Sequence, residues 1–272
     1  MNDSIVAYID ILGYSKIVEE HYGNDEMIKG FEECLKWQVQ ICDNLQKIKL
    51  SKEQIEHITK KKGIAREFKK EEKENLSLIK VRLISDSLIF SLEIPEDKKD
   101  DPKLYSLYFT IIQTVCTNII SHTGLPLRGG ISIGQHYESA SANSLFIFSK
   151  AYLEAYQLEN KKGGMPRILI HKNLSEFINN QPKQDEDDLL SRFFFTDDQG
   201  EVLLHFYHNH FSDEVNFVLK KIKKMIELNY TGNKEDNKIT EKLQYFAGYH
   251  NNRIKDLILD NVKVRELELN LI

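Results

Sequence analysis

Residues 4–12 read SIVAYIDIL, an apolar run that carries one charged side chain, Asp10, and stops at Gly13. A short apolar run closed by glycine reads as a buried strand. Residues 76–94 repeat the signal twice, as LSLIKVRLIS and SLIFSLEI on either side of Ser85-Asp86-Ser87. Two β-rich runs so close together predict a hairpin with Asp86 at its tip. Between these stretches Met27, Phe31, Leu35, Val39, Cys42 and Leu45 recur at three- and four-residue spacing, the period of one helix face. After the exposed loop PEDKKDDPK, a second helical stripe runs through Leu104, Leu107, Tyr108, Ile111, Val115 and Ile119, and Gly124 and Pro126 stop it. LRGGISIG (127–134) is a further strand, ESASANS a polar loop leading into LFIF, KAYLEAYQLE a helix and RILIH another strand. Strand, helix, hairpin, helix, strand, helix, strand is the order of an α+β fold, a ferredoxin-like α/β sandwich.

Outside this frame the pattern weakens. Residues 49–74 are charge-dense, including KKKGIAREFKKEEKE, and predict a solvated helical insertion. RFFFTDD and EVLLHFYH predict a hairpin across Asp198-Gln199-Gly200. Ser212 is a helix N-cap candidate ahead of the stripe Val215, Val218, Leu219, Ile222 and Ile226, and a last helix carries Ile239, Leu243, Phe246, Ile254 and Leu257. The expected organisation is a core over residues 1–175, interrupted at 49–74, with a C-terminal hairpin and helices over 176–272 packed on it.

Composition narrows the function classes. The chain has 272 residues, 41% hydrophobic and 29% charged, enough for a real core without disulfide or metal staples. Its net charge of −5 argues against a dedicated nucleic-acid surface, which carries a basic excess. We expect no membrane span, no export because MNDSIVAYID has acids where a secretory signal has Lys or Arg, and a cytoplasmic location, with Cys34, Cys42 and Cys116 as reduced small hydrophobes. His205, His208 and His210 have a loose metal-like spacing, but on a strand His205 faces away from the other two. GxxxxGK[ST] and GxSxG are both absent, which removes P-loop and nucleophile-elbow chemistry.

The informative residues are the two strand-borne acids. An unpaired carboxylate inside a buried run costs several kcal/mol. Asp10 therefore either pairs with a Lys or Arg or holds a cation. In a ferredoxin-like sheet the first strand lies beside the central hairpin, so Asp10 and Asp86 can meet at one sheet end. There, hard oxygen ligands suit Mg²⁺ or Mn²⁺ completed by substrate phosphates. On the ordinary alternative, Asp86 is only a turn residue.

Three patches resemble the class III nucleotidyl cyclases, the adenylate and guanylate cyclase superfamily. They are Ile9-Asp10-Ile11-Leu12-Gly13-Tyr14-Ser15, Leu83-Ile84-Ser85-Asp86-Ser87-Leu88 with Ser85 in place of the usual Gly, and Arg128 to Gly134. Residues 149–159 follow the rhythm of the family's dimer-interface helix, and Lys242–Asn251 resembles a bacterial subgroup. The resemblance implies two Mg²⁺ or Mn²⁺ ions on Asp10, Asp86 and the Ile11 carbonyl, holding a nucleoside triphosphate. It implies backbone N–H groups of Leu12, Gly13, Tyr14 and Ser15 around the phosphates, a 3′,5′-cyclic nucleotide product with pyrophosphate, and a head-to-tail homodimer. The family's ribose-orienting Asn and transition-state Arg fall on Leu153 and Gln157 here, leaving Arg128 and Lys150 as candidate replacements. Arg82 occupies the base-reading position and Phe146 its aromatic partner. Neither the adenine nor the guanine pattern is met, and divergence at these places is similar to the Pycsar-type bacterial anti-phage cyclases, which implies a downstream cyclic-nucleotide effector. Two alternatives stand beside this reading: a catalytically degenerate nucleotide- or partner-binding domain, and a palm-type nucleotidyltransferase that makes a dinucleotide.

Overall fold

The computed structural model describes residues 2–47, 69–141, 144–162, 164–182, 189–207, 213–256 and residue 269. Strand β1 (Asn2–Ile11) is followed by helices α1 (Tyr14–His21), α2 (Asp25–Val39) and α3 (Ile41–Lys47). Helix α4 (Lys70–Ser77) leads into the hairpin β2 (Ile79–Ile84) and β3 (Ser87–Glu93), and then α5 (Pro102–Thr123). The chain continues as β4 (Leu127–Ser141), β5 (Ser144–Ser149), α6 (Lys150–Lys162), β6 (Ile168–Ile170) and α7 (Lys172–Asn179). It ends with β7 (Phe194–Thr196), β8 (Val202–Leu204), α8 (Asp213–Gly232) and α9 (Asn237–Asp256).

One sheet runs in the order β2-β3-β1-β4-β6-β8-β7, with β5 paired to β4. Its first four strands are antiparallel neighbours in the order of a ferredoxin-like sandwich, as the sequence predicts. The β7–β8 hairpin pairs with β6, so the C-terminal part extends the same sheet.

Alternation along β1 gives the sheet two different faces. Ile5, Ala7, Ile9 and Ile11 point into the main core, which draws on α2, α3, α5, α8 and α9. Ser4, Val6, Tyr8 and Asp10 point the other way. There Val6, Ile89 and Ala151 form a small second cluster flanked by Tyr8, Ile147 and Tyr152. Gly130 makes this second packing possible: a Cβ on it would collide with the Ala155 carbonyl, so α6 sits directly on the β4 backbone.

Several expectations change. The stripe from Met27 to Leu45 is two helices, because Gln40 caps α2 before α3 begins. Short α1 carries only Tyr14, Ile17 and Val18 as apolar residues in eight, too few to make a helical stripe in the sequence. The charged insertion ends in a helix, α4, which buries Leu76 and delays the strand read from residue 76 to Ile79. The polar ESASANS stretch is not a loop: β4 continues to Ser141 and pairs with β5 in register from His136–Ser149 to Ser141–Ser144. Its hydrophilic side chains reflect an exposed arm, not a break in pairing. Helix α5 is long and apolar enough to cross a membrane, contrary to the expectation that no stretch is, but it is mostly buried and serves as the core helix. Cys42 and Cys116 are buried and all three cysteines are free thiols. Most of the 49–74 insertion, His208, His210 and Ser212 lie outside the described residues.

Candidate functional site

The register of β1 sets Asp10 opposite Arg128 on one side and Ser87 on the other. All three sit at the end of the sheet where β1 gives way to α1. The backbone N–H of Ile11 donates to the Asp86 carbonyl at 3.3 Å, which fixes the hairpin tip beside the end of β1. The two acids therefore lie close enough for the charge of Asp86 to act on Asp10. Ser85, the first turn residue, has φ 57. That left-handed conformation suits glycine better than serine.

Asp10 is nearly buried and fully engaged. Arg128 donates from Nε and approaches with Nη2, both at 2.9 Å from Oδ2, and Ser87 Oγ donates to Oδ1 at 3.2 Å. The Tyr8 hydroxyl shares a 2.7 Å hydrogen bond with the same Ser87 Oγ. Arg128 Nε also lies 2.7 Å from Glu159 Oε1 of α6. Burial raises the Asp10 pKa; the Arg128 hydrogen bond and charge pull it down and Asp86 pushes it up, for a net upward shift. Glu159 is likewise raised, by burial first, with Arg128 opposing and Asp10 reinforcing. Burial lifts the Tyr8 hydroxyl to about 12, despite the bond to Ser87.

A second charged cluster lies on the same face. Arg82 on β2 donates from Nε to Glu138 Oε1 at 2.8 Å, with Nη2 at the same distance, and Ser91 Oγ donates to Oε2 at 3.2 Å. His136 Nε2 lies 3.6 Å from Glu138 Oε2. Burial raises the Glu138 pKa, but His136 and the charges of Arg82 and Lys80 together outweigh it and hold the carboxyl below its ordinary value.

The structure thus brings together Asp10, Ile11, Asp86 and Arg128. Gly13 (φ 87) is the N-cap of α1, which places Tyr14 and Ser15 in its first turn. The Leu12 N–H is spent on the Pro126 carbonyl at 3.0 Å, so Leu12 does not join a phosphate cradle in this conformation. Lys150 stands at the start of α6, nine residues before Glu159 and about 13 Å along the helix. Its 73% exposed side chain lies 3.8 Å from Glu154. Leu153 and Gln157 are exposed on α6, while Tyr156 is partly exposed and packs edge-on against Tyr8, with ring centroids 5.2 Å apart. Phe146 is exposed on β5 and makes an edge contact with Tyr137, not with Arg82. His205 lies just past β8, buried and stacked on Phe195.

Sequence reading missed Tyr8, Ser87, Glu138 and Glu159. Tyr8 shares the Asp10 face by the two-residue period of a strand. Ser87 becomes visible once the β1–β3 register is known. Glu159 and Glu138 carry no local signal, because the contacts that define them span many residues.

Neither a protein-family model nor a curated protein matches the sequence. Solved structures with a likeness include the monomeric guanylyl cyclase domain of the RhoGC fusion protein from the aquatic fungus Blastocladiella emersonii. It is 14% identical, with 75% of this chain and 94% of that one covered and a TM-score of 0.42. A bacterial light-regulated adenylyl cyclase is 12% identical, with 82% and 98% covered and a TM-score of 0.37. The guanylate cyclase domain of RhGC from Catenaria anguillulae, in complex with GTP, is 13% identical, with 74% and 93% covered and a TM-score of 0.38. At these identities and scores the likeness carries neither activity nor substrate to this chain.

Proposed function

We propose that this chain is a metal-dependent nucleotidyl cyclase that converts a nucleoside triphosphate to a 3′,5′-cyclic nucleotide and pyrophosphate. The observation that carries the reading is the meeting of Asp10 and Asp86 at one sheet end, beside the N-terminus of α1 and with Arg128 between Asp10 and α6.

The donor set fits a divalent cation. Among the described residues no three His, Cys, Asp or Glu side chains converge on a metal position. Mg²⁺ needs no such cage, being held by one or two carboxylates plus substrate phosphates and water. Asp10, Asp86 and the Ile11 carbonyl would hold Mg²⁺ or Mn²⁺, and two such ions would activate the ribose 3′-hydroxyl and neutralise the phosphates. This chain's own residues then bind and orient. The N–H groups of Gly13, Tyr14 and Ser15 face the phosphates at a helix N-terminus. Arg128 supplies a fixed positive charge beside them. Ser87 and Tyr8 hold the Asp10 carboxylate in place. Arg82, anchored by Glu138, offers N–H donors to an acceptor on the base, with Phe146 for stacking.

Lys150, Leu153 and Gln157 all point outward, and Tyr137, Phe146, Phe148 and Tyr156 expose large aromatic surface on the β4–β5 arm and α6. A head-to-tail homodimer would cover this surface and set α6 of one protomer against the site of the other. The wider role we propose is bacterial anti-phage signalling in the cytoplasm, through a downstream cyclic-nucleotide effector.

The test is incubation of the full chain with each of the four nucleoside triphosphates and Mn²⁺, with products identified by mass. A cyclic mononucleotide with pyrophosphate, lost in Asp10→Ala, supports the reading. A linked dinucleotide supports the palm-type transferase instead. The apolar Leu153 at the family's ribose-orienting position favours a second reading, a degenerate nucleotide-binding domain. It predicts saturable binding without turnover.

A further inference from the structure

We infer that Glu159 is a positioning residue that takes Arg128 off Asp10 when a divalent cation enters. The inference rests on the cation reading of Asp10 and adds a part to it. Arg128 Nε has a single hydrogen, and two carboxylates compete for it. In this structure it points at Asp10 Oδ2, 2.9 Å away. Glu159 Oε1 is closer to the same nitrogen, at 2.7 Å, but is buried and accepts no hydrogen bond among the described residues. A buried acceptor left unfilled is costly. It stays unfilled only because Asp10 holds the hydrogen.

The guanidinium is therefore the resident cation on Asp10, and Glu159 is the acceptor already in place for it. The Glu159 side chain is 4% exposed and α6 is seated on Gly130, so the acceptor cannot drift away. A divalent ion on Asp10 competes directly with Arg128. Once it binds, a small rotation passes the Nε hydrogen to Glu159, so that the displaced guanidinium is not left without a carboxylate. Charge favours the exchange: Arg128 on Glu159 forms a neutral pair and leaves Asp10 and Asp86 as two uncompensated carboxylates for the dication. Arg128 also keeps its place beside the phosphates and does not swing into solvent.

The experiment is Mn²⁺ titration of the full chain, read by loss of the free-ion paramagnetic resonance signal. The chains are wild type, Asp10→Asn, Arg128→Gln, Glu159→Gln and the Arg128→Gln/Glu159→Gln double variant, each checked for folding by circular dichroism. If Arg128 holds Asp10 closed nine-tenths of the time, removing it tightens Mn²⁺ binding about tenfold. Glu159→Gln removes that acceptor beside Arg128 and weakens binding several-fold. Because Glu159 acts through Arg128, that weakening shrinks to about twofold or less in the Arg128→Gln background. Mn²⁺ also raises the melting temperature of Arg128→Gln more than that of wild type, a readout that survives if the variant is less stable.

Loss of binding in Asp10→Asn with no tightening in Arg128→Gln overturns the inference and leaves the cation reading standing. So does an equal effect of Glu159→Gln in both backgrounds, which makes Glu159 a distant charge only. Undiminished binding in Asp10→Asn, or no binding by any chain, overturns both.

Discussion

The two faces of the sheet are built from alternate residues of the same strands, yet they follow opposite rules. The face carrying Ile5, Ala7, Ile9 and Ile11 packs mainly apolar side chains, with Phe90, Tyr108 and Phe109 fully buried around α5 and scattered neutral polar groups such as Gln113 bonded to backbone carbonyls. The face carrying Ser4, Tyr8 and Asp10 holds three polar systems. These are Asp10–Arg128–Glu159, Arg82–Glu138–Ser91, and Ser132 with Glu154 and Asn173. Burying charge costs free energy unless it is matched, and replacing such pairs by apolar groups is often neutral or stabilising. A face that keeps three such systems beside a mainly apolar one is under a demand other than stability. Substitutions on the two faces therefore separate stability from activity.

The largest effect on folding belongs to the apolar face. Phe109 packs against Tyr108, Phe193 and Phe194, and Phe109→Ala lowers stability by about 3–5 kcal/mol. Chemical denaturation measures it, and an effect below about 1 kcal/mol breaks the contrast between the faces. On the polar face, Asp10→Asn keeps the shape and the Ser87 contact while removing a buried charge. Arg128 keeps Glu159 as a carboxylate partner, so we expect a stability loss of about 1–3 kcal/mol, smaller than that of Phe109→Ala, and a fall in turnover of at least 100-fold, on the order seen when one transition-state contact is removed. Comparing melting temperature and initial rate on the same preparations checks both halves.

A pH series sharpens the comparison further. The Glu138 pKa is lowered in the folded chain, so its contribution is present above its ordinary value of 4.5 and is lost as pH falls through the folded pKa. Glu138→Gln should have a lower melting temperature at pH 7 and a shallower loss of stability below pH 4.5 than wild type. Parallel acid limbs for the two proteins would show that the Arg82 cluster adds nothing. The smallest effect is at the hairpin tip. Ser85 sits at φ 57, and Ser85→Gly relieves a left-handed serine, raising stability by about 1 kcal/mol. Denaturant midpoints resolve a change of that size.

The same contrast explains what the sequence could and could not reveal. The apolar face announces itself through period-two strands and period-3.6 helices, which is why β1, the β2–β3 hairpin, α5 and the order of the core elements follow from pattern alone. The polar face has no such signature. Asp10 stood out because it interrupts an apolar run, and Asp86 because it sits between two strands. Tyr8 looks like one more aromatic in a strand, and Glu159 like one more surface acid on α6, until β4 and α6 are packed. The ESASANS tip of the β4–β5 arm reads as a loop because an exposed strand pair needs no apolar residues to keep its backbone hydrogen bonds.

The site is tested most directly by anomalous diffraction from crystals of the full chain grown with Mn²⁺ and a non-hydrolysable nucleoside triphosphate. We expect two manganese peaks about 3.5–4 Å apart between Asp10 and Asp86, with Arg128 moved from Asp10 to Glu159. Manganese bound elsewhere, or no manganese at the site with Arg128 still on Asp10 and nucleotide present, would contradict it.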